Sequence, residues 1–162
     1  MLNKAVFIDR DGTIIFDHGY IKDPSLVELL PKVKEALSLL KKSGFMIFVV
    51  TNQSGIGRGM MTITDVQKVN TKMLELLSDN LITEILICPH APHENCECRK
   101  PKTGLIKKVS EKYKLDLKAS YAIGDKDADK ELGENMGGKG IKLSEHNAGS
   151  LWTAAVEISS KK

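Results

Sequence analysis

Four short apolar runs, each closed by a polar residue, constrain this chain more than any other feature of its sequence. AVFI at 5–8 ends at Asp9, and FMIFVV at 45–50 ends at Thr51. ILI at 85–87 ends at Cys88, and YAI at 121–123 ends at Gly124 and Asp125. Runs this short, without alternation, fit strands buried on both faces, as in a parallel sheet. A piece of buried helix is the competing reading; shortness and the polar stop favour strand. A weaker fifth strand is expected near Gly140–Leu143.

Helical spacing fills the gaps. Residues 31–43 begin with Pro31, repeat Val33, Ala36, Leu37 and Leu40, and stop at Gly44. Residues 64–79 present Val66, Val69, Met73, Leu74 and Leu77 on one face, with Thr64 and Gln67 as a capping box. Further helices are expected at 103–114, at 127–136 before Gly137 and Gly138, and at 149–158, docked by Leu151, Trp152, Ala155 and Val156. Strands alternating with helices predict a doubly wound α/β domain without a large cap. At 162 residues, one domain spanning 1–162 is expected.

Composition narrows the classes. Lys plus Arg number 24 against 21 Asp plus Glu, a net +3. That is too mild for a dedicated nucleic-acid or membrane-surface protein and suits a small anionic ligand. Hydrophobic residues at 41% support a sizeable core, and aromatics at 5% leave aliphatic side chains to fill it. No apolar run approaches the roughly 20 residues that cross a bilayer. The opening MLNKAVFIDRDG carries no secretory leader pattern, so a cytoplasmic location is expected. Low aromatic content and no obvious exposed apolar stripe make a monomer the default.

In open α/β sheets, ligands bind beyond the carboxyl ends of the strands. Asp9 and Asp11 stand there, two residues apart, followed by Gly12 and Thr13. Like charges this close repel unless a cation lies between them or one is protonated. The pair fits a Mg²⁺ seat made of the Asp9 carboxylate, the Arg10 carbonyl and a third carboxylate, with Asp11 as a general acid. An Asp-rich turn is the ordinary alternative.

The string F-I-D-R-D-G-T after a buried strand resembles the first motif of the haloacid dehalogenase superfamily of phosphatases. The resemblance implies that Asp9 attacks phosphorus, and that Asp11 protonates the leaving oxygen and then activates water. It extends in order along the chain: Thr51 matches the second motif, Lys100 the third, and G-D-K-D-A-D the fourth. That last motif supplies Asp125 as a Mg²⁺ ligand and Asp129 as a supporting candidate. Asn52 is expected to join Thr51 and Lys100 around the phosphate. A helix cap for Asp125 and a solvated lysine for Lys100 are the plain readings of those residues alone.

Cys88, His90, Cys96 and Cys98 form C-x-H-x5-C-x-C. Three thiolates and an imidazole make a closed tetrahedral set for a structural Zn²⁺, with no position open for water. His93 is a rival ligand, and three free buried cysteines are the alternative. Arg99 and Lys100 follow directly, so fixing this loop would fix two cations.

The string C-P-H-x5-C-x-C-R-K-P is similar to the zinc-bearing branch of the superfamily. That branch holds histidinol-phosphate phosphatases and D-glycero-D-manno-heptose 1,7-bisphosphate 7-phosphatases. Three strings resemble the heptose enzymes: D-H-G-Y at Asp17, His18, Gly19 and Tyr20; T-N-Q-S-G-I-G-R-G from Thr51, with Gln53 and Ser54; and Lys126 beside Asp125. The resemblance implies that Asp17–Tyr20 contact a phosphorylated sugar. It also implies that Arg99 and Lys126 hold a second, non-reacting phosphate. A polar turn at 17–20 and a capping turn at 52–54 remain open. The same loop around Asp17 would also serve the cationic amine of histidinol phosphate.

Overall fold

The computed structural model describes residues 1–78, 80–144 and 150–161. Its strands are β1 (Lys4–Ile8), β2 (Phe45–Asn52), β3 (Glu84–Cys88), β4 (Tyr121–Gly124) and β5 (Lys139–Lys142). All are parallel, in the order β3-β2-β1-β4-β5. Every apolar run is a strand, and the doubly wound expectation holds.

Side chains alternate across a strand, so the central strand feeds two cores. Val6 and Ile8 join Ile47 and Val49 on one face. Helices α1 (Val33–Lys42), α3 (Ile63–Leu77) and α6 (Ser150–Ser160) cover it through Leu37, Leu40, Met73, Leu77 and Leu151. Ala5 and Phe7 join Phe48 and Val50 on the other face. Helices α4 (Gly104–Tyr113) and α5 (Asp127–Asn135) cover that one through Ile106, Val109 and Leu132. Edge strand β5 is half exposed and begins and ends in lysine, which blunts pairing with another chain.

Several expected boundaries move. β2 continues through Thr51 and Asn52, so both belong to the strand rather than follow it. Helix α1 starts two residues after Pro31, with Lys32 left-handed at its N-cap. In α3 the capping box is Thr62 with Asp65, not Thr64 with Gln67. On the same helix Leu74 is exposed and Asn70 is buried, because Asn70 has a buried partner across the sheet end. In α6 the docking face is Leu151, Ala154, Ala155 and Ile158, with Val156 turned out. Residues 79 and 149 of the expected helices lie outside the described residues. Among the described residues no helix is long and apolar enough to cross a membrane.

The strand order positions the site. From β1 the chain lays β2 and β3 to one side, then returns to place β4 on the other side of β1. A crevice opens at the carboxyl ends where that direction reverses. Asp9 leaves β1 there, and Asp125 leaves β4. The long segment after β1 is pinned rather than loose. Ile14, Ile15, Ile21 and Val27 are buried, and Phe16 and Leu30 bond the main chain of Glu28 and Ile14. Residues 16–20 form a continuous exposed stretch, and Lys22, Asp23, Ser25, Leu26 and Glu28 are exposed between the buried anchors.

The corrected cap makes a direct test. Thr62→Ala is expected to cost about 1 kcal/mol of unfolding free energy in urea. Thr64→Ala, a substitution inside the exposed first turn, should stay within about 0.5 kcal/mol.

Candidate active site

The site is organised by a buried lysine. The Lys100 ammonium donates at 2.7 Å to Asp9 Oδ1, to Asp129 Oδ1 and to the Val50 carbonyl. All three of its protons are thereby used. Burial draws the Lys100 pKa down, but the charges of Asp9 and Asp129 outweigh this and leave it raised. Asp9 shows the converse. Burial raises its carboxyl, Lys100 opposes, Asp129 adds to the rise, and the result is about 7.

Asp125 completes the acidic group. Gly12 turns at φ +81°, and a Cβ there would collide with the Asp125 carboxylate, so this close approach needs glycine. Burial raises the Asp125 carboxyl, and its Oδ1 is buried without a hydrogen-bond partner among the described residues. Ligand oxygens of Asp9, Asp125 and Asp129 lie within 4.8 Å of one another. Three carboxylates against one ammonium leave two negative charges. The orphaned oxygen and that imbalance fit a hard divalent cation. Asp129, only a supporting candidate in the sequence, belongs to this group in full.

Asp11 stands apart from that cluster. Its Oδ2 accepts from Arg10 Nε at 3.1 Å and from Gln53 Nε2 at 2.9 Å; its Oδ1 accepts from Arg10 Nη2 at 3.1 Å. The two neighbouring acids therefore have different partners, a lysine for one and an arginine fork for the other. The Arg10 carbonyl, expected on the metal, accepts backbone N–H groups of Thr13, Ile14 and Ile15. It closes the turn after β1, which corrects that expectation.

The cysteine loop gathers as its spacing implied. Cys88 Sγ lies 3.2 Å from Cys98 Sγ and 3.6 Å from Cys96 Sγ. His90 Nδ1 lies 3.2 Å from Cys98 Sγ and 3.7 Å from Cys88 Sγ. These separations are far beyond a disulfide. They approach the roughly 3.5–3.8 Å between ligand atoms of tetrahedral zinc with Zn–S near 2.3 Å. His93 is exposed and outside the cluster.

This loop grips the strand ends beside it. The Asn52 side chain pairs with the Lys100 main chain, accepting its N–H at 3.0 Å and donating to its carbonyl at 3.3 Å. Asn52 thus holds Lys100, and this pairing leaves the second N–H of its amide unused. Gln53 N donates to the Cys88 carbonyl and Gly57 N to that of Pro89. These bonds tie the short helix α2 (Ser54–Gly57) to the same loop.

A cavity of about 340 Å³ lies over these groups. Asp9, Asp11 and Lys100 form its floor. Asn52, Gln53 and Ser54 line it together with Asp17, Gly19 and Tyr20, and Arg99 and Lys126 add cations. Arg99 Nη1 is buried without a hydrogen-bond partner among the described residues. Three expected residues do not line it. Thr51 is buried and its hydroxyl accepts from Gln53 Nε2 at 2.7 Å. Asp125 sits behind Gly12, and His18 is exposed.

A family model described as polynucleotide kinase 3 phosphatase matches residues 4–147. The chain belongs to this family. A Thermoplasma volcanium relative, named as a probable D-glycero-D-manno-heptose-1,7-bisphosphate 7-phosphatase, is 43% identical over 76% of this chain and 86% of its own length. A Helicobacter pylori D-glycero-beta-D-manno-heptose-1,7-bisphosphate 7-phosphatase is 40% identical over 82% of this chain and 79% of its own. The Legionella pneumophila histidine biosynthesis bifunctional protein HisB is 36% identical over 99% of this chain, which spans 47% of that protein. The solved D,D-heptose 1,7-bisphosphate phosphatase of B. bronchiseptica, complexed with magnesium and phosphate, superposes with TM-score 0.77. It is 29% identical over 85% of this chain and 78% of its own. The resemblance to the haloacid dehalogenase superfamily is borne out.

Two tests follow from the family member's electrostatics. Below about pH 7 a cation must displace the proton that burial holds on Asp9. Magnesium affinity, measured by calorimetry, should therefore climb by up to about tenfold per pH unit towards 7 and flatten above it. Lys100→Met leaves Asp9 and Asp129 buried without their cation. In metal-free buffer at neutral pH it should lower unfolding free energy by about 3 kcal/mol.

Proposed function

We propose that this chain is a Mg²⁺-dependent phosphatase that removes the 7-phosphate of D-glycero-D-manno-heptose 1,7-bisphosphate through an aspartyl-phosphate. The observation that carries the reading is the meeting of Asp9, Lys100, Asp125 and Asp129 beneath a cavity with the cations Arg99 and Lys126 at its wall. The names of the heptose relatives support the substrate.

Asp9, Asp125 and Asp129 would hold the magnesium ion. Where the sequence pointed to the Arg10 carbonyl, the neighbouring Asp11 carbonyl takes its place; it accepts no hydrogen bond among the described residues. Bound magnesium neutralises phosphoryl charge and seats the group for in-line attack. Lys100 orients Asp9 through Oδ1, which leaves Oδ2 to attack phosphorus. Asp11 gives a proton to the departing sugar oxygen. It then takes one from the water that releases orthophosphate from Asp9. Gln53 links Thr51 to Asp11, so Thr51 acts from beneath the cavity.

Arg99, with its orphaned Nη1, and Lys126 take the second phosphate, and Asp17–Tyr20 face the sugar. Zinc on Cys88, His90, Cys96 and Cys98 holds Arg99 and Lys100 in place beforehand, which lowers the ordering cost of binding. In this reading the enzyme works in the cytoplasm, in lipopolysaccharide heptose synthesis.

Orthophosphate release with magnesium decides the reading. Heptose 1,7-bisphosphate should turn over with kcat/KM at least about a hundredfold above histidinol phosphate, since the latter leaves Arg99 and Lys126 without an anion. Preference for histidinol phosphate would reverse the assignment. Asp9→Asn should fold and lose turnover, and retained hydrolysis would refute its nucleophilic role. Zinc removal by a chelator that leaves magnesium saturating should cut activity by about tenfold or more through the loop. Full activity of folded, zinc-free protein would refute that coupling.

A further inference from the structure

We infer that Arg10 and Asn70 form a positioning pair that holds Asp11 for proton transfer and leaves its Oδ1 as the proton-carrying oxygen. This rests on the phosphatase reading above and adds two residues to it.

Arg10 is fully buried, the largest side chain to be so among the described residues. Its guanidinium meets Asp11 with two parallel bonds, Nε to Oδ2 and Nη2 to Oδ1, both 3.1 Å. A fork of this kind fixes the carboxylate plane as well as its place. The third arm, Nη1, donates at 2.8 Å to Asn70 Oδ1 on α3. Asn70 sits beside Val66, Val69 and Met73, where helical spacing calls for a hydrocarbon. A polar side chain there is costly without a partner, and its partner is this guanidinium.

Counting lone pairs assigns the reacting atom. A carboxylate offers about four acceptor sites, two on each oxygen. Arg10 Nε and Gln53 Nε2 fill both on Oδ2. Arg10 Nη2 takes one on Oδ1, so the remaining site is on Oδ1. A proton carried there leaves the fork intact. In the first half-reaction an Asp9 oxygen forms its bond to phosphorus as the phosphorus–ester oxygen bond breaks. The ester oxygen keeps that electron pair and receives the Oδ1 proton, leaving as the alcohol. Asp11 is left as the carboxylate, ready to accept a proton from water.

Arg10 and Asn70 touch neither substrate nor metal in this reading, so the test must separate positioning from mere support. The rate of alcohol release in a single turnover with magnesium reports the first half-reaction alone. It is measured for phosphate monoesters ranging from alkyl esters to p-nitrophenyl phosphate. Alkoxide leaving groups need the Asp11 proton, and p-nitrophenolate does not. Asn70→Leu and Arg10→Lys should slow alkyl ester cleavage by about tenfold or more, out of the 10²–10⁴ that a placed acid contributes. Release of p-nitrophenolate should change by less than about threefold, steepening the dependence on leaving-group pKa. KM should hold, and Asn70→Asp, which keeps an acceptor for Nη1, should restore the wild-type slope. Should Asn70→Leu fail to fold, Arg10→Lys and the smaller Asn70→Ser carry the comparison. Equal slowing of all esters, or wild-type slopes in folded variants, overturns the inference. Wild-type protein that hydrolyses neither these esters nor heptose 1,7-bisphosphate with magnesium overturns the phosphatase reading instead.

Discussion

A single ammonium, Lys100, ties the rim of this sheet together. It draws Asp9 from the end of β1, Asp129 from the first turn of α5 and the Val50 carbonyl from β2 to one point. None of these groups tolerates burial alone, and the charged ones least of all. The lysine itself comes from a loop with no regular structure, so something must fix the loop. Two devices do so: the Asn52 amide paired with the Lys100 main chain, and the cluster of three sulfurs and an imidazole just upstream. Sheet end, cysteine loop and acidic cluster are one mechanical unit.

The same geometry separates two acids that sit only two residues apart. Asp9 is placed among other carboxylates with a single lysine, where burial raises it and a divalent cation would complete its charge. Asp11 is placed on an arginine fork and a glutamine amide. One environment favours cation binding and attack, the other a fixed orientation. Divergent surroundings for adjacent titratable groups are how one fold divides nucleophilic and acid–base work.

Much of this was legible in the sequence because it depends on local pattern. The apolar runs marked the strands, and the residue after each run marked the rim. The cysteine spacing marked the loop that gathers in space. What escaped was long-range pairing. Asn70 breaks an apolar helical face for a guanidinium sixty positions away, so helical spacing picked Leu74 in its place. Arg10 looked like a spacer between two acids, yet its side chain is fully buried, the largest such side chain among the described residues. Its carbonyl looked available to a metal, but the turn that follows β1 claims it three times over. Asn52 read only as a phosphate contact because it follows Thr51; that its amide also matches the hydrogen-bonding edge of a peptide in the facing loop was not legible.

The central claim is that the Asp9 carboxylate, oriented by Lys100, becomes bonded to phosphorus during turnover. Acid quenching of the magnesium-loaded protein during turnover of heptose bisphosphate, followed by peptide mapping, addresses it directly. The account predicts a phosphoryl group on the peptide containing Asp9, sensitive to hydroxylamine as an acyl phosphate is. Rapid turnover with no phosphorylated intermediate, or with the group on a different residue, would contradict it.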